Sequence, residues 1–423
     1  MTERRVVSPL RDFFHQEAAG GIVLVAATVI ALIWANSPWK ESYFHLWHTH
    51  MSITIGTHSI DLDLQEWVND ALMAIFFLVV GLEIKREVVE GELRDPRTAA
   101  LPAIAAIGGM TVPALIYVAI NAGGAGVSGW GIPMATDIAM AIGVVSLLGS
   151  RVAPSLKLFL LALAIVDDIG AILVIAIFYS DDIDFGALSI AVVLVGAVAL
   201  LRWLGVRYVA LYVVVGAALW LAVFESGVHA TIAGVILGLM APTRPFRQRE
   251  LIDEESLLDV STAEAAAQTA MLARESVSVV EWMEHLLHPW TSFLIVPLFA
   301  LANAGIPITS TTLSHAFSSR VTYGVLFGLV VGKFIGVVGA SWIATRLGIG
   351  TMPRGATWRG IFGVGAVAGI GFTVSIFVAG LAFDDKPLLE NDAKIGILAA
   401  SIIAATIGSF VLARREPRPR TDL

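Results

Sequence analysis

Two adjacent aspartates lie in the middle of an apolar run, Leu160-Leu161-Ala162-Leu163-Ala164-Ile165-Val166-Asp167-Asp168-Ile169-Gly170-Ala171-Ile172-Leu173. The apolar segment around them, 156–179, is long enough to cross a bilayer, because a spanning helix needs about 20 apolar residues. A carboxylate at the centre of such a helix costs roughly 2.5–3.5 kcal/mol even on translocon-insertion scales. The pair therefore predicts a functional site at membrane depth.

The composition of the whole chain favours a polytopic membrane protein. Of its 423 residues, 57% are hydrophobic and only 15% are charged, whereas soluble domains carry about 25% charged residues. The chain has no cysteine, which excludes disulfides, thiolate metal ligands and thiol nucleophiles. The net charge of −8 argues against a nucleic-acid partner.

Apolar runs of roughly spanning length occur twelve times. The polar residues 1–17, with no clear cleavage site after them, favour a retained first span over a cleaved signal peptide. The expected fold class is an all-α polytopic membrane protein with transmembrane helices near 18–36, 66–84, 99–121, 129–149, 156–179, 185–203, 207–223, 227–241, 288–306, 321–345, 358–382 and 391–413.

Lysine and arginine concentrate in alternate loops. If the N-terminus is cytoplasmic, 22 of the 27 lie on the cytoplasmic side. Lys333 lies inside a span, and the outer loops hold Lys40, Arg320, Lys386 and Lys394. The positive-inside rule therefore predicts that both termini are cytoplasmic.

A short alternating segment at 51–64 separates the first two spans. Its apolar positions, Ile53, Ile55, Ile60, Leu62 and Leu64, flank a polar turn and predict an extracytoplasmic β-hairpin. An isolated two-stranded hairpin is marginal in water, so pairing with a second copy of the chain is the simplest expectation. His45, His48 and His50 suggest a metal site nearby, but a solvated loop with several histidines is the simpler interpretation.

Three further features place charge or irregular backbone at membrane depth. The fourth span contains Gly131-Ile132-Pro133-Met134-Ala135-Thr136-Asp137, where Gly and Pro interrupt the helix beside an acid. The eleventh span is rich in glycine, at Gly363, Gly365, Gly369 and Gly371. The tenth contains Lys333, an intramembrane cation that needs an anionic partner.

The two interrupted spans occupy corresponding places in the groups of spans three to five and ten to twelve. The odd spacing inverts one group relative to the other, and paired interrupted spans indicate a transporter with its site near the bilayer midplane. Asp137 is then placed to neutralise positive half-helix ends, and Lys333 to neutralise negative ones. The alternative is that both are paired charges that only fix the fold.

Helical geometry separates the two aspartates of the pair. Consecutive helical residues point about 100° apart, so one aspartate can reach an ion while the other pairs with Lys333. Desolvation and a like-charged neighbour bring protonation of such a pair within reach of neutral pH, and the two titrate as a coupled set. If a cation and a proton cannot occupy the carboxylates together, exchange follows from competition.

Seven longer segments carry a resemblance. They are Phe76-Phe77-Leu78-Val79-Val80-Gly81-Leu82-Glu83-Ile84-Lys85-Arg86-Glu87, Ala135-Thr136-Asp137-Ile138-Ala139, Ala162-Leu163-Ala164-Ile165-Val166-Asp167-Asp168, Ser226-Gly227-Val228-His229-Ala230-Thr231, His288-Pro289-Trp290, Leu298-Phe299-Ala300-Leu301-Ala302-Asn303-Ala304-Gly305 and Gly369-Ile370-Gly371-Phe372-Thr373-Val374-Ser375-Ile376-Phe377. In this order they resemble the NhaA family of bacterial sodium/proton antiporters over nearly the whole chain.

The resemblance implies a secondary transporter that exchanges cytoplasmic Na⁺ or Li⁺ for external protons by alternating access. It further implies that the fourth and eleventh spans cross at their breaks, that transport is electrogenic and pH-regulated, and that no cofactor is needed. It also implies a bacterial inner-membrane location and a homodimer formed through the 51–64 hairpin.

The resemblance also assigns roles to individual residues. The cation- and proton-binding set is Asp167, Asp168, Asp137, Thr136 and Lys333, with Asp168 as the Na⁺ or Li⁺ ligand and Asp167 as the partner of Lys333 and second proton carrier. The pH-responsive set at the cytoplasmic end is Glu83, Arg86, Glu87, His229, Glu284, His285 and His288. Without the resemblance, these residues would be read as solvated helix-end charges, and His229 as a hydrogen-bonded structural residue.

We expect one transporter domain over residues 1–423. Spans one to eight occupy 18–241, a cytoplasmic polar loop with a surface helix near 263–280 occupies 242–287, spans nine to twelve occupy 288–413, and the cytoplasmic tail is 414–423. The stretch at about 243–283 is longer than the family leads one to expect.

Three other functions agree less well with these residues than cation/proton exchange does. An organic-anion symporter on the same architecture is disfavoured because the aspartate pair suits a cation. An intramembrane aspartyl protease needs aspartates from different helices and a Gly-x-Gly-Asp motif, whereas this chain has adjacent ones and no such motif. A channel is disfavoured because a deep charged site suits binding and exchange better than rapid passage.

Overall fold

The computed structural model describes residues 3–55, 58–180, 182–206, 208–243 and 277–414. Within them the protein is mostly helical, with one small antiparallel sheet. In chain order the helices and strands are α1 Glu3–Ala35, α2 Lys40–Trp47, β1 His50–Ile55, β2 His58–Asp63, α3 Leu64–Trp67, α4 Met73–Val89, α5 Pro96–Asn121, α6 Ile138–Leu147, α7 Pro154–Phe178, α8 Phe185–Trp203, α9 Val209–Glu225, α10 Thr231–Met240, α11 Val279–Trp290, α12 Val296–Asn303, α13 Ser310–Ser318, α14 Arg320–Phe327, α15 Lys333–Arg346, α16 Trp358–Val367, α17 Phe372–Ala382 and α18 Pro387–Ala413.

Tighter and wider helical turns join several of these helices. The 3₁₀ segments are Val127–Met134 and Gly149–Arg151, and the π-helical turns are Val68–Leu72, Thr291–Ile295 and Gly328–Gly332. The π-helical turns continue one helix into the next, so α3 with α4, α11 with α12, and α14 with α15 each form one long apolar segment.

The expected polytopic all-α architecture is confirmed at the level of apolar helices. Among the described residues, nine helical segments are long and apolar enough to span a bilayer, and the bent pair α16 and α17 makes a tenth. The seventh and eighth predicted spans correspond to α9 and α10, which are apolar but shorter, so the count of twelve spans remains a prediction.

Packing divides the chain into two compact units, of which the first comprises Met1–Asn69, Asp95–Tyr179 and Ser292–Leu423. Within it, α5 lies along α15, and α1 packs on α6 and α12. The approach of α5 to α15 is so close that a Cβ on Gly108 would collide with the Gly336 carbonyl. This contact positions α15, the helix that begins with Lys333, against α5.

The predicted hairpin is present in the first unit. Strands β1 and β2 pair antiparallel from His50 opposite Asp63 to Ile55 opposite His58, and the turn at 56–57 lies outside the described residues. The hairpin leads directly into α3 through a capping box. The Asp63 carboxylate accepts a hydrogen bond from the Glu66 N–H at 2.8 Å, and Glu66 Oε2 accepts one from the Asp63 N–H at 2.7 Å.

The second unit comprises Asp70–Arg94 and Ser180–Thr291. Here α4 packs closely on α10, where a Cβ on Gly234 would collide with the Ala74 carbonyl, and α11 packs along α4. Helices α8 and α9 form a second layer around the buried side chains of Leu219 and Val223.

Two interruptions of helical backbone meet in the first unit. Residues 135–137 are extended between the 3₁₀ segment Val127–Met134 and α6, and residues 368–371 separate α16 from α17 at a bend of 44°. The Asp137 N–H donates to the Ile370 carbonyl at 2.7 Å. Backbone groups freed by one break are thus satisfied by the other, as burial in a membrane protein demands.

The polar segment expected at 242–287 is described only at its two ends. Residues 244–276, which include most of the expected surface helix, and 415–423 of the expected tail lie outside the described residues. At its far end, α11 begins at Val279, earlier than the span boundary expected at 288. Ser278 caps it, because its hydroxyl accepts the Glu281 N–H at 3.1 Å.

Candidate functional site

The aspartate pair lies on α7, in the first unit. Asp167 is completely buried and Asp168 is 5% exposed. Pro154 occupies the first turn of α7, where its missing N–H costs nothing, and the apolar run that follows contains no further proline. Asp167 and Asp168 are consecutive, so their side chains leave the helix in different directions.

Asp167 forms an ion pair with Lys333, the first residue of α15. The Lys333 side chain is also completely buried, and Asp168 acts electrostatically on it as well. Gly109 of α5 lets the backbone pack closely on α15, since a Cβ there would lie 2.9 Å from Val337 Cγ2 and 3.9 Å from Lys333 Nζ. The structure therefore gathers Asp167, Asp168 and Lys333 into one buried trio.

Thr136 joins the trio to both helix breaks. Its Oγ1 lies 2.7 Å from Asp167 Oδ2 and 2.9 Å from the carbonyl oxygen of Ala368. A hydroxyl has one proton, so Thr136 can donate to only one of these oxygens at a time. Asp167 Oδ1 is buried and receives no hydrogen bond from the described residues. It is an oxygen that a bound proton or cation would satisfy.

Asp137 lies at the N-terminal ends of two half-helices. Its Oδ1 accepts the Met140 N–H of α6 at 2.9 Å, and its Oδ2 accepts the Thr373 N–H at 2.9 Å and the Thr373 hydroxyl at 2.7 Å. A carboxylate at a helix N-terminus compensates the positive end of the helix dipole. Asp137 does so for α6 and α17 together. The hydrogen bond that Lys333 makes among the described residues goes to Asp167.

Sequence reasoning did not single out several groups that complete this site. Thr373 holds Asp137, the Ala368 carbonyl accepts from Thr136, and the Ser375 hydroxyl donates to the Ile132 carbonyl at 2.8 Å. Thr373 and Ser375 lie in the segment 369–377, and their position just after the glycine-rich break is the signal that could have identified them.

A second cluster lies in the second unit, where α4 meets α11. Arg86 forms ion pairs with Glu284 and, at 3.6 Å, with Glu87. Glu83 also acts on Arg86, and His288 acts on Glu284. The structure therefore brings together five of the seven expected pH-responsive residues.

The other two expected pH-responsive residues lie elsewhere. His285 is exposed, whereas its neighbours Glu284 and His288, one turn apart, face the cluster and are buried. His229 is half-buried in the turn between α9 and α10, where its carbonyl accepts the Ile232 N–H at 3.0 Å.

The described part of the chain contains no group of three or more histidine, aspartate or glutamate side chains able to hold a metal ion. Additional oxygen ligands for a cation at Asp167 and Asp168 would come from hydroxyl and carbonyl groups. Thr136 and the carbonyls at the two breaks are the available kinds. Such an all-oxygen environment suits a small hard cation.

Comparison with known proteins gives matches along almost the entire chain. A family model described as Na⁺/H⁺ antiporter 1 matches residues 11–412. A protein named Na(+)/H(+) antiporter NhaA from Cupriavidus necator is 48% identical, covering 98% of this chain and 92% of its own. The proteins of that name from Rhodopirellula baltica and Oleidesulfovibrio alaskensis are 47% and 46% identical, each covering 98% of this chain and 96% of its own.

Proposed function

Since this chain belongs to the Na⁺/H⁺ antiporter 1 family, we propose that it exchanges cytoplasmic Na⁺ or Li⁺ for external protons by alternating access. It is an integral membrane transporter of Na⁺ and H⁺ rather than an enzyme, which sets aside the aspartyl protease alternative. The single observation that carries the mechanism is the buried trio of Asp167, Asp168 and Lys333.

The charge of the trio limits what it can bind. With all three groups ionised the trio carries one net negative charge, which is expensive at this depth. One bound Na⁺ neutralises it. Adding Na⁺ to carboxylates that are already protonated would instead accumulate positive charge in a buried site. Cation and protons therefore compete, and competition is sufficient for exchange.

The two aspartates take different parts in this cycle. Asp168 is the cation ligand, and Asp167 is the partner of Lys333 and the second proton carrier. When both carboxylates are protonated the trio carries one positive charge, whereas with Na⁺ bound it carries none. Each cycle therefore moves net charge, and the membrane potential contributes about 2.3 kcal/mol per charge per 100 mV.

Asp137 and Thr136 support the trio from the helix breaks. Asp137 keeps the two half-helix N-termini neutral, and Thr136 supplies a hydroxyl beside Asp167. We assign the segment from Val127 to Leu147 and the bent pair α16 and α17 as the fourth and eleventh of twelve spans, crossing at their breaks. Both termini are cytoplasmic in this arrangement, which the distribution of lysine and arginine supports.

The cluster around Arg86 and Glu284 is the pH-responsive element. Buried carboxylates, one arginine and His288 share it, so a change in protonation of one member alters the ion pairing of the others. The family-based assignment also includes His285 and His229, but the exposed side chain of His285 lies outside the ion-paired cluster. The protein functions in a bacterial inner membrane, as a homodimer formed through the β1–β2 hairpin.

Everted membrane vesicles test the function. A respiration-driven proton gradient is formed and monitored with a pH-sensitive dye, and Na⁺ or Li⁺ is then added. Each ion should collapse the gradient between about pH 6 and pH 9, the range in which histidine and perturbed carboxylates titrate. Absence of a response to either ion across this range, from protein shown to be in the membrane, would disprove the exchange.

A further inference from the structure

The 3₁₀ segment Val127–Met134 leads directly into the extended residues that carry Thr136 and Asp137. At eight residues the segment is longer than most 3₁₀ helices, whose hydrogen-bond geometry is poorer than that of α-helices, so its position depends on its neighbours. A small displacement of the segment would move the Thr136 hydroxyl relative to Asp167. What holds this segment therefore bears on the ion site.

Tyr179 holds the segment through its hydroxyl group. The hydroxyl donates to the Ser128 carbonyl at 2.8 Å and accepts the Gly131 N–H at 3.0 Å. Ser128 and Gly131 are three residues apart, the spacing that one 3₁₀ hydrogen bond joins. The hydroxyl thus bridges the donor and the acceptor of one turn of the segment.

Gly131 creates the space that this contact needs. A Cβ at Gly131 would lie 2.7 Å from the Tyr179 hydroxyl oxygen, closer than side chains tolerate. Tyr179 is 7% exposed, and its ring stacks on Trp130 with 6.5 Å between ring centroids. Burial makes the contact costly to lose, because an unsatisfied buried N–H or carbonyl is destabilising.

Tyr179 directly follows α7, the helix that also carries Asp167. The two residues are about 18 Å apart at the usual helical rise. The α7 helix and the residue after it therefore contact residues 127–137 at two places. Tyr179 contacts Ser128 near the start of this stretch, and Asp167 contacts Thr136 near its end.

We propose that Tyr179 is a positioning residue for ion exchange, whose hydroxyl fixes the 3₁₀ segment so that Thr136 reaches Asp167. The inference rests on the proposed function, since it assumes that Asp167 belongs to the ion site. Without the hydroxyl, the Ser128 carbonyl and the Gly131 N–H must close on each other or stay unsatisfied. Closure displaces the segment, and two unsatisfied groups make its position less well fixed; both weaken cation binding rather than the maximal rate.

The test is the Na⁺ dependence of exchange by Tyr179→Phe in everted vesicles at fixed pH. The apparent KM for Na⁺ should rise about three- to tenfold, the effect of one buried hydrogen bond, while the maximal rate per protein changes little. The matched control is Tyr323→Phe, whose lost hydroxyl donates to the Phe317 carbonyl at 2.8 Å on an exposed surface. Its KM should stay at the wild-type value.

The Gly131→Ala variant tests the same contact by changing the residue that faces the Tyr179 hydroxyl. Its Cβ pushes against the hydroxyl, so KM should rise in this variant too, and combining it with Tyr179→Phe should raise KM by less than the product of the single effects. An unchanged KM in Tyr179→Phe, a fall in maximal rate alone, or multiplicative effects in the double variant would overturn the positioning role. If the wild type itself shows no Na⁺-dependent exchange, the proposed function fails instead.

Discussion

Lys333 and Asp167 form an ion pair in which both side chains are completely buried. Lys333 follows the π-helical turn Gly328–Gly332, a kind of irregularity that is frequent at functional sites. Such a pair gives little net stability compared with apolar packing, but removing one partner leaves a charge buried without compensation. The protein can therefore bury either charge at low cost only while the other is present.

Replacing the lysine alone should destabilise the protein strongly. We expect Lys333→Ala to lose about 3–5 kcal/mol, because the Asp167 carboxylate then lacks its cation. The double variant Lys333→Ala with Asp167→Asn should recover much of this loss, since both charges are gone. Thermal midpoints by fluorescence-detected size-exclusion chromatography report the difference. A double variant no more stable than Lys333→Ala would show that the two residues are not coupled.

Replacing the proposed cation ligand should abolish transport without removing the protein. We expect Asp168→Asn to show no Na⁺- or Li⁺-dependent proton movement in everted vesicles, because the amide cannot exchange a proton for a cation. Asp95→Asn, at the exposed N-cap of α5, is the control and should transport normally. Retained exchange by Asp168→Asn would remove this residue from the site.

The three hydrogen bonds to Asp137 predict a graded effect on stability. Asp137→Ala removes the acceptor for α6 and for α17, and each lost cap costs about 0.5–2 kcal/mol. Asp137→Asn keeps one carbonyl oxygen and should be less destabilised. The same thermal measurement checks this order, and equal midpoints for wild type and Asp137→Ala would contradict the capping role.

Hydropathy and charge could predict much of this fold, because spans and loops differ in residue type. The π-helical turns and the early start of α11 at Val279 could not be predicted in this way, since hydrogen-bond register and a serine cap decide them. The acids and the lysine stand out in the sequence because charge at membrane depth is costly. Thr373 and Tyr179 do not stand out, because their roles depend on contacts with residues distant in the chain.

Glu284 and His285 are adjacent in the sequence, but only Glu284 is buried in the cluster around Arg86. We expect Glu284→Gln to shift the pH at which exchange becomes active, because it removes the carboxylate that pairs with Arg86. His285→Gln should leave the pH profile unchanged, since this side chain is exposed on another face of α11. Exchange rates against pH in vesicles measure both. A shift in His285→Gln equal to that in Glu284→Gln would contradict this distinction.

The hairpin should contribute to association of two copies more than to transport. Replacing 51–62 by a short flexible linker removes all of β1 except His50 and all of β2 except Asp63, which remains as the cap of α3. Dimers detected by cross-linking should weaken, because paired strand edges are lost, while exchange per protomer persists. Dimers of undiminished strength would refute the role of the hairpin.

The central claim is that Na⁺ and protons compete for the buried carboxylates of Asp167 and Asp168. Its most direct test is proton release on Na⁺ addition to the purified protein in weakly buffered detergent solution, measured with a pH indicator at several starting pH values. Na⁺ should release protons where choline does not. The apparent Kd for Na⁺ should fall by up to about tenfold for each unit rise in pH and each proton displaced. The Asp168→Asn variant should release no protons on Na⁺ addition. Na⁺ binding of constant affinity across pH, without proton release, would contradict the account.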